Sequence, residues 1–194
     1  MRNTSKFGMA AVLLGIGVGV AARTHGTAAA EPNVLRAKAD ILGAPGSGIS
    51  GVVTFTEAPT DKNTPVKMVE VVAHVVGLPP GRHGMHIHEV GSCANTTTAF
   101  GGAGGHFDPG PFGNSSPADA NHPFHMGDLP NLEVNEAGVG HVQYTTSRIT
   151  LSPGPLSVFD SNGSAVVIHQ NEDLGLPGVN GAAGGGRIAC GVIQ

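Results

Sequence analysis

Ten histidines in a chain of 194 residues are the first chemical signal, and several of them are clustered. Imidazole is a common ligand for transition metals. In Gly84-Met85-His86-Ile87-His88 two histidines stand two residues apart. Residues so spaced in a strand point to one face, so both rings can reach one metal; alternating surface histidines give the same pattern. Further along, Gly104-Gly105-His106-Phe107-Asp108-Pro109 precedes His122-Pro123-Phe124-His125-Met126-Gly127-Asp128. Two imidazoles and a carboxylate so close together, with His106 nearby, are the donor types of tetrahedral zinc. A polar loop with solvated histidines is the alternative. Val166-Val167-Ile168-His169 ends an apolar run in a histidine, and Arg187 stands three residues before Cys190. Taken singly, such residues are more often a satisfied core or edge histidine and a surface ion-pair partner.

Strands must position these groups, and the surrounding chain is rich in strand signals. Leu35, Ala37, Ala39 and Ile41 alternate with Arg36, Lys38 and Asp40, the period-two pattern of a half-buried strand. Residues 49–57, with β-branched Val52, Val53, Thr54 and Thr56, predict a second strand, and 66–76 a third. Residues 84–90 predict a fourth, and strands resume near 140–147, 165–169 and 187–193. Between 91 and 131 periodicity is lost, and a stretch of that length is commonly functional or disordered; its histidines favour function. A second Gly-rich loop runs over 171–186. With 31 Gly, 14 Pro, 12 % charged residues and no pattern for a long helix or a repeat, the composition suits many short strands. The expectation is an all-β antiparallel sandwich or flattened barrel with two long loops. The two cysteines, Cys93 and Cys190, can pair in an oxidising compartment. Such a bridge would close a loop worth about 4–5 kcal/mol in the chain-entropy picture.

In combination these segments resemble the copper–zinc superoxide dismutase family. The resemblance rests on Gly81-Arg82-His83-Gly84-Met85-His86-Ile87-His88-Glu89-Val90-Gly91-Ser92-Cys93, on residues 104–109 and on His125-Met126-Gly127-Asp128-Leu129. It rests also on the run ending at His169 and on residues 185–193, and it extends from about residue 34 onward. The resemblance implies a Greek-key barrel. It implies copper held by His86, His88, His106 and His169, with His106 bridging to a zinc that also takes His125 and Asp128. It further implies a Cys93–Cys190 disulfide, Arg187 beside the open copper position, and Asp173 linking the two metal sites through hydrogen bonds. His83 matches a structural histidine. One ligand departs from the family pattern: the position eight residues after His106 is Asn114. His122 is the nearest candidate to complete the zinc site. His74 and His141 fall outside the motifs and are expected to be structural or surface residues.

The activity so implied is disproportionation of superoxide, with Arg187 and His106 acting on the substrate. A non-catalytic copper-binding or copper-delivery role on the same fold is the alternative; relatives of that kind lack some ligands or the arginine, and this chain keeps them. The first 30 residues carry Arg2 and Lys6, an apolar stretch and Thr27-Ala28-Ala29-Ala30, the layout of a cleaved export signal. The expected division is 1–30 signal peptide and 31–194 dismutase domain, exported to a periplasm without a stable membrane anchor. Removing 1–30 takes three basic residues and no acid, leaving an acidic protein. That excess of acid argues against nucleic acid as a partner. Family members occur as monomers and as dimers, so a homodimer is open.

Overall fold

The computed structural model describes residues 33–60, 66–110, 125–176 and 181–194. Nine strands occur among them: β1 Leu35–Gly43, β2 Ser50–Glu57, β3 Val69–Val76, β4 Gly81–His83, β5 Met85–His88, β6 Leu132–Val134, β7 Val139–Thr146, β8 Ala165–His169 and β9 Arg187–Val192. Every strand pairing is antiparallel. The spatial order is β4-β6-β7-β3-β2-β1-β9-β8-β5. β3 therefore pairs with β7 and β5 with β8, crossings that make a Greek key rather than a simple meander. The two ends of this order, β4 and β5, are separated in sequence only by Gly84. One stretch of chain thus pairs with β6 through its first half and with β8 through its second, and the sheet closes on itself.

Alternation decides which residues fill the barrel. Ala37, Ala39 and Ile41 of β1, Val53 and Phe55 of β2, and Val69, Val71, Ala73 and Val75 of β3 are buried in one core. Arg36, Lys38, Asp40, Thr54 and His74 face outward. The β-branched residues suit this half-buried pleated surface. β5 and β8 differ, for every residue in them is buried. Met85, Ile87, Val166 and Ile168 face the main core. Ala165 and Val167 face outward into a second cluster with Phe100, Ala103 and Cys190. His86 is opposite Val167 and His88 opposite Ala165. Both histidines therefore lie on that outward face, covered by the loop that follows β5.

The sequence expectations and the structure differ at three places. The strand expected over 84–90 begins earlier and is split, because the Gly84 amide donates to Asn171 O (2.8 Å) and its carbonyl accepts from His169 N (2.8 Å). β6 is a strand that the pattern did not announce; with three residues it shows no periodicity and is defined by pairing with β4. The third strand starts at Val69 rather than at residue 66. The segment after β5 contains a short 3-10 turn, Gly101–Ala103, entered through Phe100 in the left-handed region (φ 53). The expected disulfide is present: Cys93 and Cys190 are bonded, with Cα atoms 5.7 Å apart. It ties this loop to β9.

Candidate metal centre

Four histidines from three parts of the chain converge on one point. His86 and His88 come from β5 and His169 from the end of β8, where a register shift separates Ile168 from His169. His169 is two residues beyond Val167 and so shares its outward face. His106 is delivered by the loop: it bridges to His88, and Phe107 N donates to Ile87 O at 2.9 Å. The ring centres of His86 and His106 are 4.1 Å apart, and those of His88 and His106 4.9 Å. One ring nitrogen from each of the four lies within 4.8 Å of the others.

The other nitrogen of three rings is already engaged. His88 Nδ1 lies 3.0 Å from Gly104 O, His169 Nδ1 3.0 Å from Gly185 O, and His86 Nε2 2.8 Å from Asp173 Oδ2. Each of these acceptors calls for an N–H on the ring nitrogen facing it. The opposite nitrogens, His86 Nδ1, His88 Nε2 and His169 Nε2, then carry lone pairs, and all three are buried with no hydrogen-bond partner. Leaving a buried polar atom unsatisfied costs about 1–3 kcal/mol. A metal ion at their meeting point is what this donor set fits. At His88 and His169 protonation is no alternative: burial, then the charge of His106, pushes His88 down to about 2. Burial, then His86, pushes His169 down to about 3. Both rings are neutral at pH 7, the state a ligand needs.

His106 belongs to a second group with His125 and Asp128. Its Nδ1 lies 2.6 Å from Asp128 Oδ1, and His125 Nδ1 lies 3.6 Å from Asp128 Oδ2. Burial alone would raise the Asp128 pKa, but the hydrogen bonds from His106 and His125 outweigh it and hold the carboxyl well below its usual range. Burial lowers the pKa of His106, an effect that its bond to Asp128 only partly offsets. The turn carrying His125 and Asp128 is pressed against β5: Ile87 N donates to Gly127 O and Gly127 N to Phe107 O. A Cβ on Gly127 would come within 2.3 Å of Ile87 O, so only glycine fits there. His122, the expected further ligand, and Asn114 lie outside the described residues.

Of the remaining expected residues, Asp173 and Arg187 touch the two groups or the loop that covers them. Asp173 accepts from the Gly175 amide at 2.8 Å through Oδ1. Its backbone is clamped by Asn131, which donates to Asp173 O and accepts from Asp173 N. Its pKa is lowered first by the His86 hydrogen bond. Arg187 donates from Nη1 to Phe100 O at 2.9 Å and from Nη2 to Gly104 O at 2.6 Å. His83 has both ring nitrogens against backbone carbonyls, those of His169 and Pro79, and is not part of either group. His74 and His141 are exposed and directly opposed on β3 and β7. Two residues escaped the sequence reading. Asn131 sits three residues past Asp128 with no spacing to mark it. Arg148 donates to the carbonyl of His125, and a lone arginine after a strand carries no motif.

A closed antiparallel barrel bearing an all-histidine group and a histidine–aspartate group, joined by a shared imidazole, defines a two-metal β-barrel protein. Residues 49–193 match the family described as "Copper/zinc superoxide dismutase (SODC)". The chain is 37% identical over 164 residues to a protein of Deinococcus radiodurans named Cu-Zn superoxide dismutase, covering 81% of this chain and 83% of that one. It is 39% identical over 150 residues to a Drosophila melanogaster protein named extracellular Cu-Zn superoxide dismutase, covering 75% of each. Against a Brassica juncea protein named Cu-Zn superoxide dismutase 2 the identity is 37% over 151 residues, 75% of this chain and 90% of the other. The chain belongs to the copper/zinc superoxide dismutase family, whose metals are copper and zinc.

Proposed function

We propose that this chain disproportionates superoxide with copper held by His86, His88, His106 and His169 and zinc held by His106, His125, Asp128 and His122. The observation that carries the reading is the convergence of three buried, partnerless ring nitrogens on one point beside His106. When bound, copper supplies one-electron chemistry between two superoxide anions, of which one leaves as dioxygen and the other, with two protons, as hydrogen peroxide. The protein's own groups bind, orient and protonate. His106 Nδ1 faces Asp128, so Nε2 is the atom at which this ring holds and yields a proton toward the all-histidine group. Arg187 is pinned by two carbonyls and offers a fixed positive charge to a small anion. Asp173 orients His86, and the Gly104 and Gly185 carbonyls orient His88 and His169.

Metal analysis of the purified protein, together with superoxide decay followed by stopped flow, tests the reading. One copper and one zinc per chain with rapid decay supports it. Copper bound without dismutation would mean a delivery or storage role instead. Within the same proposal, residues 1–30 are a signal peptide, 31–194 is the mature enzyme, and the enzyme works in a periplasm. The apolar leader and the paired cysteines support this. Among the described residues no helix is long and apolar enough to cross a membrane.

A further inference from the structure

Arg148 follows β7 by two residues, in a bend held by its own amide donating to Thr146 Oγ1 at 3.0 Å. The next residue, Ile149, is fully buried in the main core. The base of the Arg148 side chain is therefore fixed to the barrel wall. Its guanidinium donates through Nη2 to the carbonyl oxygen of His125. That carbonyl is the closing acceptor of the ligand turn, since Asp128 N donates to it at 3.2 Å. In return Asp128 Oδ2 accepts from His125 N at 2.8 Å. The two expected zinc ligands on this turn are thus tied to each other by a backbone bond in one direction and an amide-to-carboxylate bond in the other. Arg148 fastens the pair to the barrel. It also lines a cavity of about 340 Å3 that Asp128 and Asp173 border, so the side chain stands on the flank of the carboxylates that face the metal ligands.

We infer that Arg148 is a positioning residue for the zinc site, acting through the His125 carbonyl to fix where the His125 imidazole and the Asp128 carboxylate point. Arginine suits the task because it is permanently charged and its planar fork keeps one geometry at full extension. The inference rests on His125 and Asp128 being zinc ligands.

The test uses the purified full protein with Arg148→Ala, Arg148→Lys and, as reference, His125→Ala. Zinc affinity is measured by competition with a chromophoric chelator. Cobalt(II) placed in the zinc site reports coordination geometry through its visible absorption. Arg148→Ala should weaken zinc about ten- to a hundredfold, the range for residues that orient ligands from behind, and should alter the cobalt bands. Copper affinity should stay as in the parent, and Arg148→Lys, which keeps a charged donor, should recover part of the loss. Parental zinc affinity and cobalt bands in Arg148→Ala overturn the inference. So does a joint loss of copper and zinc with a lower melting temperature of the metal-free protein, because Arg148 would then be holding the barrel together. Unchanged zinc affinity in His125→Ala would instead overturn the ligand assignment beneath it.

Discussion

Arg187 and His88 meet at one atom. The arginine Nη2 is 2.6 Å from Gly104 O and the histidine Nδ1 is 3.0 Å from the same oxygen. The carbonyl therefore fixes both the guanidinium proposed to meet the substrate and one ring of the proposed copper site. Gly104 has φ 75, and a Cβ there would also come within 2.7 Å of Glu89 Oε1, so the position belongs to glycine. The shared acceptor has two bonds, and losing one leaves the other in place.

Arg187→Ala should therefore keep copper while slowing the reaction. The chain is acidic overall, and long-range repulsion of an anion is screened over about 10 Å at 0.1 M salt. Under the proposed role of Arg187 in gathering superoxide locally, the second-order rate should fall about tenfold or more. The variant should also lose most of the parent's decline in rate with rising salt. Stopped-flow superoxide decay at several ionic strengths checks both, and a variant with parental rate and salt response would assign the guiding charge elsewhere.

Asp173→Ala removes the acceptor that holds the proton on His86 Nε2. The ring is then free to turn and to place its N–H toward the other rings. Copper affinity should drop by about ten- to a hundredfold. Competition with a copper chelator measures it, and an unchanged constant would show that the β5 backbone alone orients His86.

Reducing the Cys93–Cys190 bond should lower unfolding stability by about 4–5 kcal/mol, the chain-entropy value for a loop of this size; the cysteines are 97 residues apart. Urea unfolding of the metal-free protein with and without reductant reads this directly. Coincident curves would mean that the bond constrains nothing the barrel does not already hold.

Glu57 gives the barrel an acid-sensitive contact outside both candidate metal groups. Its carboxylate accepts from Leu151 N (2.5 Å), Ser152 N (3.0 Å) and Ser152 Oγ (2.5 Å). Burial raises its pKa, but these bonds, with the charge of Lys67, bring it below the usual 4.5. A folded-state pKa below the unfolded one gives stability that is present above 4.5 and is lost as pH falls through the folded value. Glu57→Gln should cost about 1–3 kcal/mol at neutral pH, with the gap to the parent closing in acid. Urea midpoints from about pH 8 to about pH 3 test the sign; a constant gap would mean that ionisation contributes nothing.

The parts of the fold that alternate in sequence were legible before the structure. Ala37, Ala39 and Ile41 face the core as their spacing requires, and His86 and His88 share a face for the same reason. A barrel was expected, but the device that closes it was not legible. It depends on Gly84 passing its hydrogen bonds to Asn171 and His169, a long-range event that no local pattern encodes. β6 was hidden because three residues are too few for a period to show. At the site, His106 and His125 were legible from residue type and clustering. Asn131 and Arg148 were not, because each acts on a backbone group and any chain position can supply the partner.

The stretch Gly81–His88 is the seam of the barrel: among the described residues it is the stretch whose two halves pair with β6 and with β8, and its second half carries His86 and His88. A closed sheet presents no row of unpaired amides and carbonyls for another chain to extend. Here the strand that seals the edge is also the one that bound metal would pin, through His106 to the neighbouring loop and through His169 to β8. Stripping the metals would leave that seam held by its seven registered pairs, the backbone bonds of Gly84 and Ile87 and the core side chains behind them. If it parts, β6 and β8 both become open edges at once. Metal supply would then govern whether copies of this protein stay apart from one another as well as how fast each one works.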